Sequence, residues 1–488
     1  MTDRDQPRRG PRRRTLAAPS QRTRSTDPAR LAAYTVMRAV ADGAYANLEL
    51  PKELRAKQIR GRDAGFATEL TYGATRLHGL YDPIIAAAAG RPLDQIDDNV
   101  LDTLRLGAHQ LLGMRVAAHA AVDETVGLAR MVNGAGASGF VNAVMRRISE
   151  KDLPTWVAQV VPTDDPIARL AVLHSHPEWI VRALRAALLG HGASTAETVD
   201  ADLEALLVAD NAPAKVSLVA RPGLADVDEL LRAGASRSAL SPVGAVLDSG
   251  DPGGIAAVRE GRAAVQDEGS QLLALAFSRA EVAPSGAGPE KWLDMCAGPG
   301  GKAALLATLA APSGATLFAN EISEHRAELV RQTLGGAIDA GIEVMVGTGD
   351  GREIGAEEPG AYDRVLVDAP CTGLGALRRR PEARWRRTPA DLADLGGLQR
   401  ALLVSAIEAT RPGGVVAYAT CSPHLGETRF VVGDVVKKRQ DVTVLDARPL
   451  FTDAQGAPVP HLGEGPFVQL WPHVHGTDAM FLALLRKG

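Results

Sequence analysis

The chain has 488 residues, of which 45% are hydrophobic and 23% are charged, and its formal net charge is −4. This length allows two or three domains with separate cores, and no apolar run approaches the roughly 20 residues of a membrane-spanning helix. The three cysteines are too few for a disulfide framework and too widely spaced for a structural zinc site. We therefore expect a globular, cytoplasmic protein with no membrane partner and no metal.

The first 24 residues form an arginine-rich segment with almost no large apolar side chains. Its arginines are Arg4, Arg8, Arg9, Arg12, Arg13, Arg14, Arg22 and Arg24. Such a segment cannot bury enough surface to fold alone, so we predict a disordered basic tail over residues 1–24. The tail is either a solvated segment with no specific role or a polycationic arm with salt-sensitive affinity for a phosphate backbone. It lacks the apolar core of a signal peptide.

Helical periodicity extends over residues 25–152. Apolar residues recur every three or four positions in "ARLAAYTVMRAVADG", "AGFATELTYGATRLHGLYDPII" and "VLDTLRLGAHQLLGM", and this pattern predicts an all-α bundle of about six helices. Residues 153–262 mix helical and strand-like stretches, such as "HPEWIVRALRAALLG" and "AKVSLVAR". They are predicted to form a small α/β connecting subdomain.

Residues 263–488 alternate between short apolar strands and helices. "KWLDMCAGPGGKAALLATLA" has the pattern of a strand, a glycine-rich turn and a helix, and "YDRVLVDAP" and "GGVVAYATCS" are further strands that end in small or polar residues. Such alternation predicts a parallel sheet covered by helices on both faces. Ligands bind at the carboxyl ends of the strands in such sheets, so we expect the functional residues there.

The glycine-rich turn is the first candidate binding site. It consists of Cys296, Ala297, Gly298, Pro299, Gly300, Gly301 and Lys302. Glycines let the backbone approach a ligand closely, and the helix that follows directs its free N–H groups at that ligand. A phosphate-binding loop would have Ser or Thr after Lys302, where this chain has Ala303. The turn therefore better suits the amino-acid end of S-adenosylmethionine than a nucleotide phosphate.

Acidic residues end the next three strands. Glu321 ends the second strand about 20 residues after the glycine turn, where an acid accepts hydrogen bonds from ribose hydroxyls. Asp350 ends the third strand, beside the expected position of the adenine, and Asp368 ends the fourth. Acids at successive strand ends favour a cofactor site over unrelated surface carboxylates.

The three cysteines all fall at the same predicted edge of the sheet. Cys296 lies in the glycine turn, Cys371 follows the fourth strand in "DAPCTGLG", and Cys421 follows the fifth in "YATCSPH". An isolated cysteine is usually a small buried hydrophobe. Two cysteines at strand ends beside a cofactor turn instead indicate thiol chemistry, and Cys371 is expected to be exposed.

A basic segment, "ALRRRPEARWRR", follows Cys371. Guanidinium groups bind phosphates bidentately, and an indole stacks on bases. The segment is either a solvated basic loop or an RNA-binding element. We predict that it binds RNA, through Arg378, Arg379, Arg380, Arg384, Trp385 and Arg386.

Together, "DMCAGPGGK", "DAPCTGLGALRRRPEARWR" and "YATCSPH" resemble the cofactor, Pro-Cys and Thr-Cys motifs of the Nop2/Sun family of RNA cytosine-5 methyltransferases, in the same order and spacing. "QDEGSQLLA" and "PHVHGTDAMFLALL" also look like family segments, so the resemblance covers residues 160–488. The helical region, which ends in "FVNAVMRRI", resembles the NusB-like RNA-binding domain. This pairing is similar to bacterial enzymes that methylate a cytosine of 16S ribosomal RNA.

The resemblance implies an all-α NusB-like domain over residues 25–152, and a Rossmann-like class I methyltransferase domain over residues 263–488 with S-adenosyl-L-methionine as methyl donor. It implies that Cys421 forms a covalent bond to C6 of the cytosine and that Cys371 assists breakdown of the adduct. Lys302 is expected on the substrate side, where Asp368 contacts the base edge or the cofactor. Because the base must be unstacked, the expected partner is 16S rRNA that is free or partly assembled.

The sequence departs from the family pattern at two places. Glu321 stands where relatives often have Asp, and after "CSPH" only Glu427 fits the usual Pro-Glu-Glu-Asn-like run. The first change still provides a carboxylate for a ribose, whereas the second places the contacts of that loop in question. Neither changes the cysteine motifs.

Other functions stay open at this point. One is a cytosine-5 methyltransferase of tRNA, another RNA or DNA, and the DNA enzymes place the nucleophile in the Pro-Cys motif, at Cys371. Another is a non-catalytic RNA-binding assembly or antitermination factor, which failure to bind S-adenosylmethionine would support. No obvious association surface is present, so we expect a monomer.

Overall fold

A computed structural model describes residues 27–114, 116–284 and 288–488. The chain divides into two compact units, the first ending at Val160 and the second running from Val161 to Gly488. The basic tail predicted over residues 1–24 lies outside the described residues. No helix in the described part of the chain is long and apolar enough to cross a membrane.

The described part of the first unit is all-α, as predicted. Asp27 begins the first helix by accepting hydrogen bonds from the backbone N–H groups of Ala29 and Arg30, and Pro28 occupies its first position,. Leu70, Leu106 and other apolar side chains from several helices form its core. The helices are α1 (Pro28–Ala41), α2 (Ala46–Ala56), α3 (Gly61–Ala89), α4 (Asp98–Leu112), α5 (Ala118–Val132), α6 (Ala135–Ser149) and α7 (Leu153–Val160).

The second unit begins with helices and a small antiparallel sheet, whose strand order is β2-β3-β1-β4. The predicted strand in "AKVSLVAR" is β1. The predicted domain boundaries at residues 152 and 262 stay predictions. The elements are α8 (Pro166–Leu173), α9 (Glu178–Gly190), α10 (Val199–Asn211), β1 (Val216–Ala220), α11 (Val227–Arg232), β2 (Ser236–Arg237), β3 (Gly244–Leu247), α12 (Ala256–Arg259) and β4 (Ala263–Val265).

A larger sheet follows, with the order β10-β12-β9-β8-β5-β6-β7 and with β11 paired to β12. Its strands are β5 (Lys291–Asp294), β6 (Thr316–Glu321), β7 (Val344–Thr348), β8 (Tyr362–Asp368), β9 (Thr410–Thr420), β10 (Val442–Leu445), β11 (Val468–Gln469) and β12 (Phe481–Lys487). Its helices are α13 (Glu268–Arg279), α14 (Gly301–Ala310), α15 (Glu324–Asp339), α16 (Ile354–Glu357), α17 (Ala383–Arg386), α18 (Asp391–Ala409), α19 (Arg429–Val436) and α20 (Pro472–His475).

The expectation of a parallel sheet is correct for β5 to β9 and wrong for the rest. Strands β10 and β11 pair antiparallel with β12, and β12 pairs antiparallel with β9. Phe481 at the start of β12 lies opposite Thr420 at the end of β9. The chain therefore enters β12 at the end of the sheet where it left β9, so β12 runs in the direction opposite to β9.

Apolar residues cover both faces of the parallel strands. In β8, Leu366 packs on one face with Leu305 of α14, whereas Val365 and Val367 pack on the other face with Ile407 of α18. A strand buried on both faces reads as a continuous apolar run. Polar side chains are consequently displaced to the strand ends, and the parallel strands bring those ends to one edge.

Candidate active site

The turn between β5 and α14 packs tightly against the end of β6. A Cβ atom on Gly298 would lie 2.2 Å from Glu321 Oε2, and Gly300 has a φ of 103°, in the left-handed region that favours glycine,. The Gly298 N–H donates to Glu321 Oε2 at 3.1 Å. Gly300 provides no side-chain cap for α14, which leaves the first N–H groups of this helix available to a ligand.

Acidic residues lie at or just beyond the predicted strand ends. Glu321 is only 3% exposed and forms an ion pair with Arg326 at 3.3 Å. Asp350, two residues past β7, accepts hydrogen bonds from Arg352, which lower its pKa. Ile322, next to Glu321, is 63% exposed. The edge thus combines carboxylates with one exposed apolar side chain.

Sequence reasoning missed Asp294, the last residue of β5. Its side chain is buried, and neither carboxylate oxygen makes a hydrogen bond of good geometry to the described residues. Burial raises the pKa of Asp294 to about 7, and the charge of Asp368 adds to the rise,. Its position could have identified it, because Asp294 is the acid at the strand end in "DMCAGPGGK", just as Glu321 and Asp368 are at theirs.

We expect Asp294→Asn to change how stability depends on pH. The folded chain binds this proton more tightly than the unfolded chain, because the pKa rises from 3.8 to about 7 on folding. The free energy of unfolding therefore falls by a few kcal/mol as the pH rises through this range. Asparagine does not titrate, so the variant should gain stability relative to wild type at about pH 8 but not at about pH 4. Urea unfolding without cofactor tests this, and parallel pH profiles would contradict it.

The thiols of Cys371 and Cys421 meet between the loops that follow β8 and β9, with their Sγ atoms 3.4 Å apart. Both residues are half-buried. The expectation that Cys371 is exposed is wrong, because Thr372 and Leu374 beside it are buried and draw the loop inward. Prediction from sequence was correct that the two thiols share one edge of the sheet.

The two thiols differ in acidity. The hydrogen bond between the two thiols lowers the pKa of Cys421, with help from the Lys302 ammonium and against the effects of burial and of Asp368 and Asp478. The same hydrogen bond, together with burial, raises the pKa of Cys371,. Burial also raises the pKa of the Cys296 thiol. Cys421 is therefore the thiol that loses its proton most easily.

Lys302 connects the glycine turn to the thiol pair. Its ammonium group lies 2.7 Å from Asp368 Oδ2. Burial lowers the pKa of Lys302, but the charge and hydrogen bond of Asp368 more than offset this, so its pKa is raised. The Lys302 ammonium thus acts electrostatically on the Cys421 thiol and lowers its pKa.

Comparisons with known proteins find matches for both units of the chain. Residues 284–486 match the family model described as 16S rRNA methyltransferase RsmB/F, and residues 27–150 match the NusB family. The chain is 52% identical over 483 residues to the Mycobacterium tuberculosis protein named "Putative methyltransferase MT1451", covering 98% of each chain. It is 31% identical to Ribosomal RNA small subunit methyltransferase B of Pseudomonas putida, covering 94% of this chain and 98% of that protein.

The chain belongs to the RsmB/F methyltransferase family. The solved structure of PH0851 has the same fold, with a TM-score of 0.76 at 20% identity over 96% of this chain and 100% of that chain. The resemblance to Nop2/Sun enzymes, the NusB-like domain and the Rossmann-like methyltransferase fold are thereby confirmed. RsmB/F proteins are RNA methyltransferases that use S-adenosylmethionine, which is the cofactor of this chain.

We expect Gly298→Ala to weaken binding of S-adenosylmethionine by at least about tenfold. The added Cβ would lie 2.2 Å from Glu321 Oε2 and 2.7 Å from an Arg326 nitrogen, so the turn and the Glu321 carboxylate cannot keep their positions. Gly335→Ala in α15 is the matched control, because its Cβ meets nothing within 4 Å. Titration calorimetry compares the two, and equal affinities would contradict the assignment.

Only part of the basic segment after Cys371 lies on the protein surface. Arg378 donates to the Gly476 carbonyl at 2.9 Å, and Arg379 pairs with the buried carboxylate of Asp478. Arg380 is exposed, and Trp385 and Arg386 are half-buried. These contacts anchor the start of the segment to the loop before β12.

The prediction that Arg384 contacts RNA is wrong in this structure. Arg384 is 0% exposed. Its guanidinium donates to the Ser175 carbonyl at 3.0 Å, to Asn211 Oδ1 at 2.8 Å and to the Asp210 carbonyl at 3.2 Å. Arg384 therefore ties the segment to the helices α8 to α10.

Among the described residues, no group of three or more His, Cys, Asp or Glu side chains is placed to hold a metal ion. The groups that the structure brings together at the Cys371–Cys421 pair are two thiols, the Lys302 ammonium and the Asp368 carboxylate.

Proposed function

We propose that this protein methylates C5 of a cytosine in 16S rRNA, with Cys421 as the covalent nucleophile. The observation that carries the proposal is the thiol pair at 3.4 Å beside the Lys302–Asp368 ion pair. The pair lies at the sheet edge that also carries the glycine turn. The name of the Pseudomonas putida relative supports small-subunit ribosomal RNA as the substrate.

The chemistry requires a thiolate, because C5 of cytosine is a poor nucleophile. Addition of the Cys421 thiolate to C6 makes C5 electron-rich. Bound S-adenosylmethionine supplies an electrophilic methyl group on its sulfonium. After C5 takes this methyl group, the C5 proton leaves to a base and the C6–S bond breaks, which regenerates the thiolate and the aromatic ring.

Cys371 is suited to the last step. Its pKa is raised, and we propose that its S–H is the donor across the 3.4 Å contact with Cys421. The same donor stabilises the sulfur of Cys421 when it departs from C6 as a thiolate. We therefore assign adduct breakdown and release of RNA to Cys371.

The cofactor fits the residues around the glycine turn. The turn from Cys296 to Lys302 brings free N–H groups to the amino-acid end of the cofactor, and the buried Asp294 carboxylate offers a partner for its ammonium group. Glu321 would accept hydrogen bonds from the ribose, and the exposed Ile322 provides an apolar surface for the adenine. Asp350 is proposed beside the adenine.

The base and its strand would bind on the other side of the thiols. We propose that Asp368 accepts a hydrogen bond from the exocyclic N4 amino group, which distinguishes cytosine from uracil. Arg380 and Arg386, with Trp385, are proposed to contact the phosphates and neighbouring bases. Arg378 and Arg379 keep this role only in part, because both also bind groups of the protein. The monomeric state and the cytoplasmic location stay predictions.

Transfer of labelled methyl groups to protein-free 16S RNA, tRNA and DNA tests the proposal. We expect 5-methylcytidine in the 16S RNA and much less in the others. Methylation that favours tRNA or DNA would keep the chemistry and overturn the substrate. Failure to bind S-adenosylmethionine, together with no methylation of 16S RNA, free or partly assembled, would favour the non-catalytic RNA-binding factor.

A further inference from the structure

We propose that Glu427 is a positioning residue that holds the two cysteine loops together and whose charge distinguishes the two thiols. The inference rests on the proposed function, because it concerns the division of labour between the two thiols. Glu427 lies six residues after Cys421, at the end of the loop that follows β9, and is 0% exposed.

One carboxylate connects both loops. Oε1 of Glu427 accepts the backbone N–H of Thr372 at 2.8 Å and the side-chain amide of Gln399 at 3.2 Å. Oε2 accepts the hydroxyl of Ser422 at 2.7 Å and the hydroxyl of Thr372. Thr372 follows Cys371 directly and Ser422 follows Cys421 directly. The carboxylate therefore binds the immediate neighbour of each thiol.

The residues around Glu427 fix its position in turn. Gln399 of α18 also donates to the Pro370 carbonyl at 2.8 Å, and the Tyr418 hydroxyl donates to the Glu427 carbonyl at 2.7 Å. Both contacts come from buried side chains. Movement of either cysteine loop would break several hydrogen bonds at once, so the thiol separation is set by this network.

The charge of Glu427 also acts unequally on the two thiols. All four donors to its carboxylate are uncharged groups, and no described residue forms an ion pair with it. Glu427 is among the groups that raise the pKa of Cys371. Cys421 faces Lys302 together with the acids Asp368 and Asp478. The Glu427 carboxylate thus favours a protonated Cys371 that donates to a Cys421 thiolate.

Alkylation of the free protein by iodoacetamide, mapped by peptide mass spectrometry, tests the inference without RNA. In wild type we expect Cys421 to react at least about tenfold faster than Cys371 near neutral pH. Glu427→Gln keeps the side-chain length and removes the charge, so the ratio should fall toward one. Methylation of RNA should also slow by about tenfold or more in kcat, with little change in KM for the cofactor.

Glu427→Asp keeps the charge and shortens the reach. We expect it to retain most of the alkylation ratio but to lose kcat, because the carboxylate no longer reaches both loops. Binding of S-adenosylmethionine within about twofold of wild type shows that a variant is folded. A wild-type alkylation ratio and kcat in Glu427→Gln would overturn the inference. If that variant does not fold, an unchanged kcat in Glu427→Asp would overturn it.

Failure of the proposed function gives a different result. Wild type would then show no RNA methylation, while the alkylation ratios of wild type and the two variants still decide whether Glu427 controls the thiols.

Discussion

Cys421→Ala should lower the rate of methyl transfer by at least roughly a thousandfold and leave no RNA–protein adduct. The variant lacks the thiol whose pKa is lowered by Cys371 and Lys302, and no other described thiol replaces it. Cys296→Ala is the matched control, because the pKa of that thiol is raised by burial. Methyl transfer should survive in the control. Activity is followed with labelled cofactor, and adducts are followed by denaturing gels.

Cys371→Ala should behave differently and accumulate the adduct. Without the S–H donor 3.4 Å away, the Cys421 sulfur is a poorer leaving group, so the C6–S bond breaks slowly. If Cys371→Ala were instead inactive and free of adduct while Cys421→Ala stayed active, the nucleophile would be in the Pro-Cys motif. The protein would then resemble the DNA enzymes in its chemistry.

Arg384→Ala should lower the free energy of unfolding of the second unit by about 3 kcal/mol. The substitution removes three hydrogen bonds. It also removes the arginine that has a stronger electrostatic effect than Arg378 on the buried Asp210 carboxylate. Burial has already raised the pKa of Asp210 to about 7, so this carboxyl group takes up a proton and limits the loss. Urea unfolding, followed by tryptophan fluorescence and by cofactor binding, measures the effect.

Arg380→Ala is the control for this prediction, because the side chain is exposed in the same segment. It should change stability by much less than Arg384→Ala does and weaken RNA binding instead. Equal stability of the two variants, with equal loss of RNA binding, would restore Arg384 to the RNA surface.

The sequence predicted much of the site because parallel sheets place strand ends together. The glycine turn, Glu321, Asp368, Cys371 and Cys421 could be assigned to one edge once the alternating pattern was recognised. The reversed direction of β12 could not be predicted, because an apolar strand reads the same in both directions. Its antiparallel pairing with β9, β10 and β11 shows it.

Two other features depended on contacts between distant segments. Arg384 belongs to a basic run, and residue type alone does not reveal that its guanidinium is buried against residues more than 170 positions earlier. In the sequence, Glu427 is recognisable only as the one residue after "CSPH" that fits the family pattern. Its role depends on Thr372, Gln399 and Ser422, which come from three separate segments.

The most direct measurement uses RNA in which cytosine carries fluorine at C5. Fluorine cannot leave as the C5 proton does, so the covalent adduct stalls after methyl transfer. The trapped complex is digested, and mass spectrometry identifies the cysteine joined to the base. The account predicts a nucleotide on the peptide that contains Cys421 and none on the peptide that contains Cys371. A nucleotide on Cys371, or no cross-link while methylation of unmodified RNA proceeds, would contradict it.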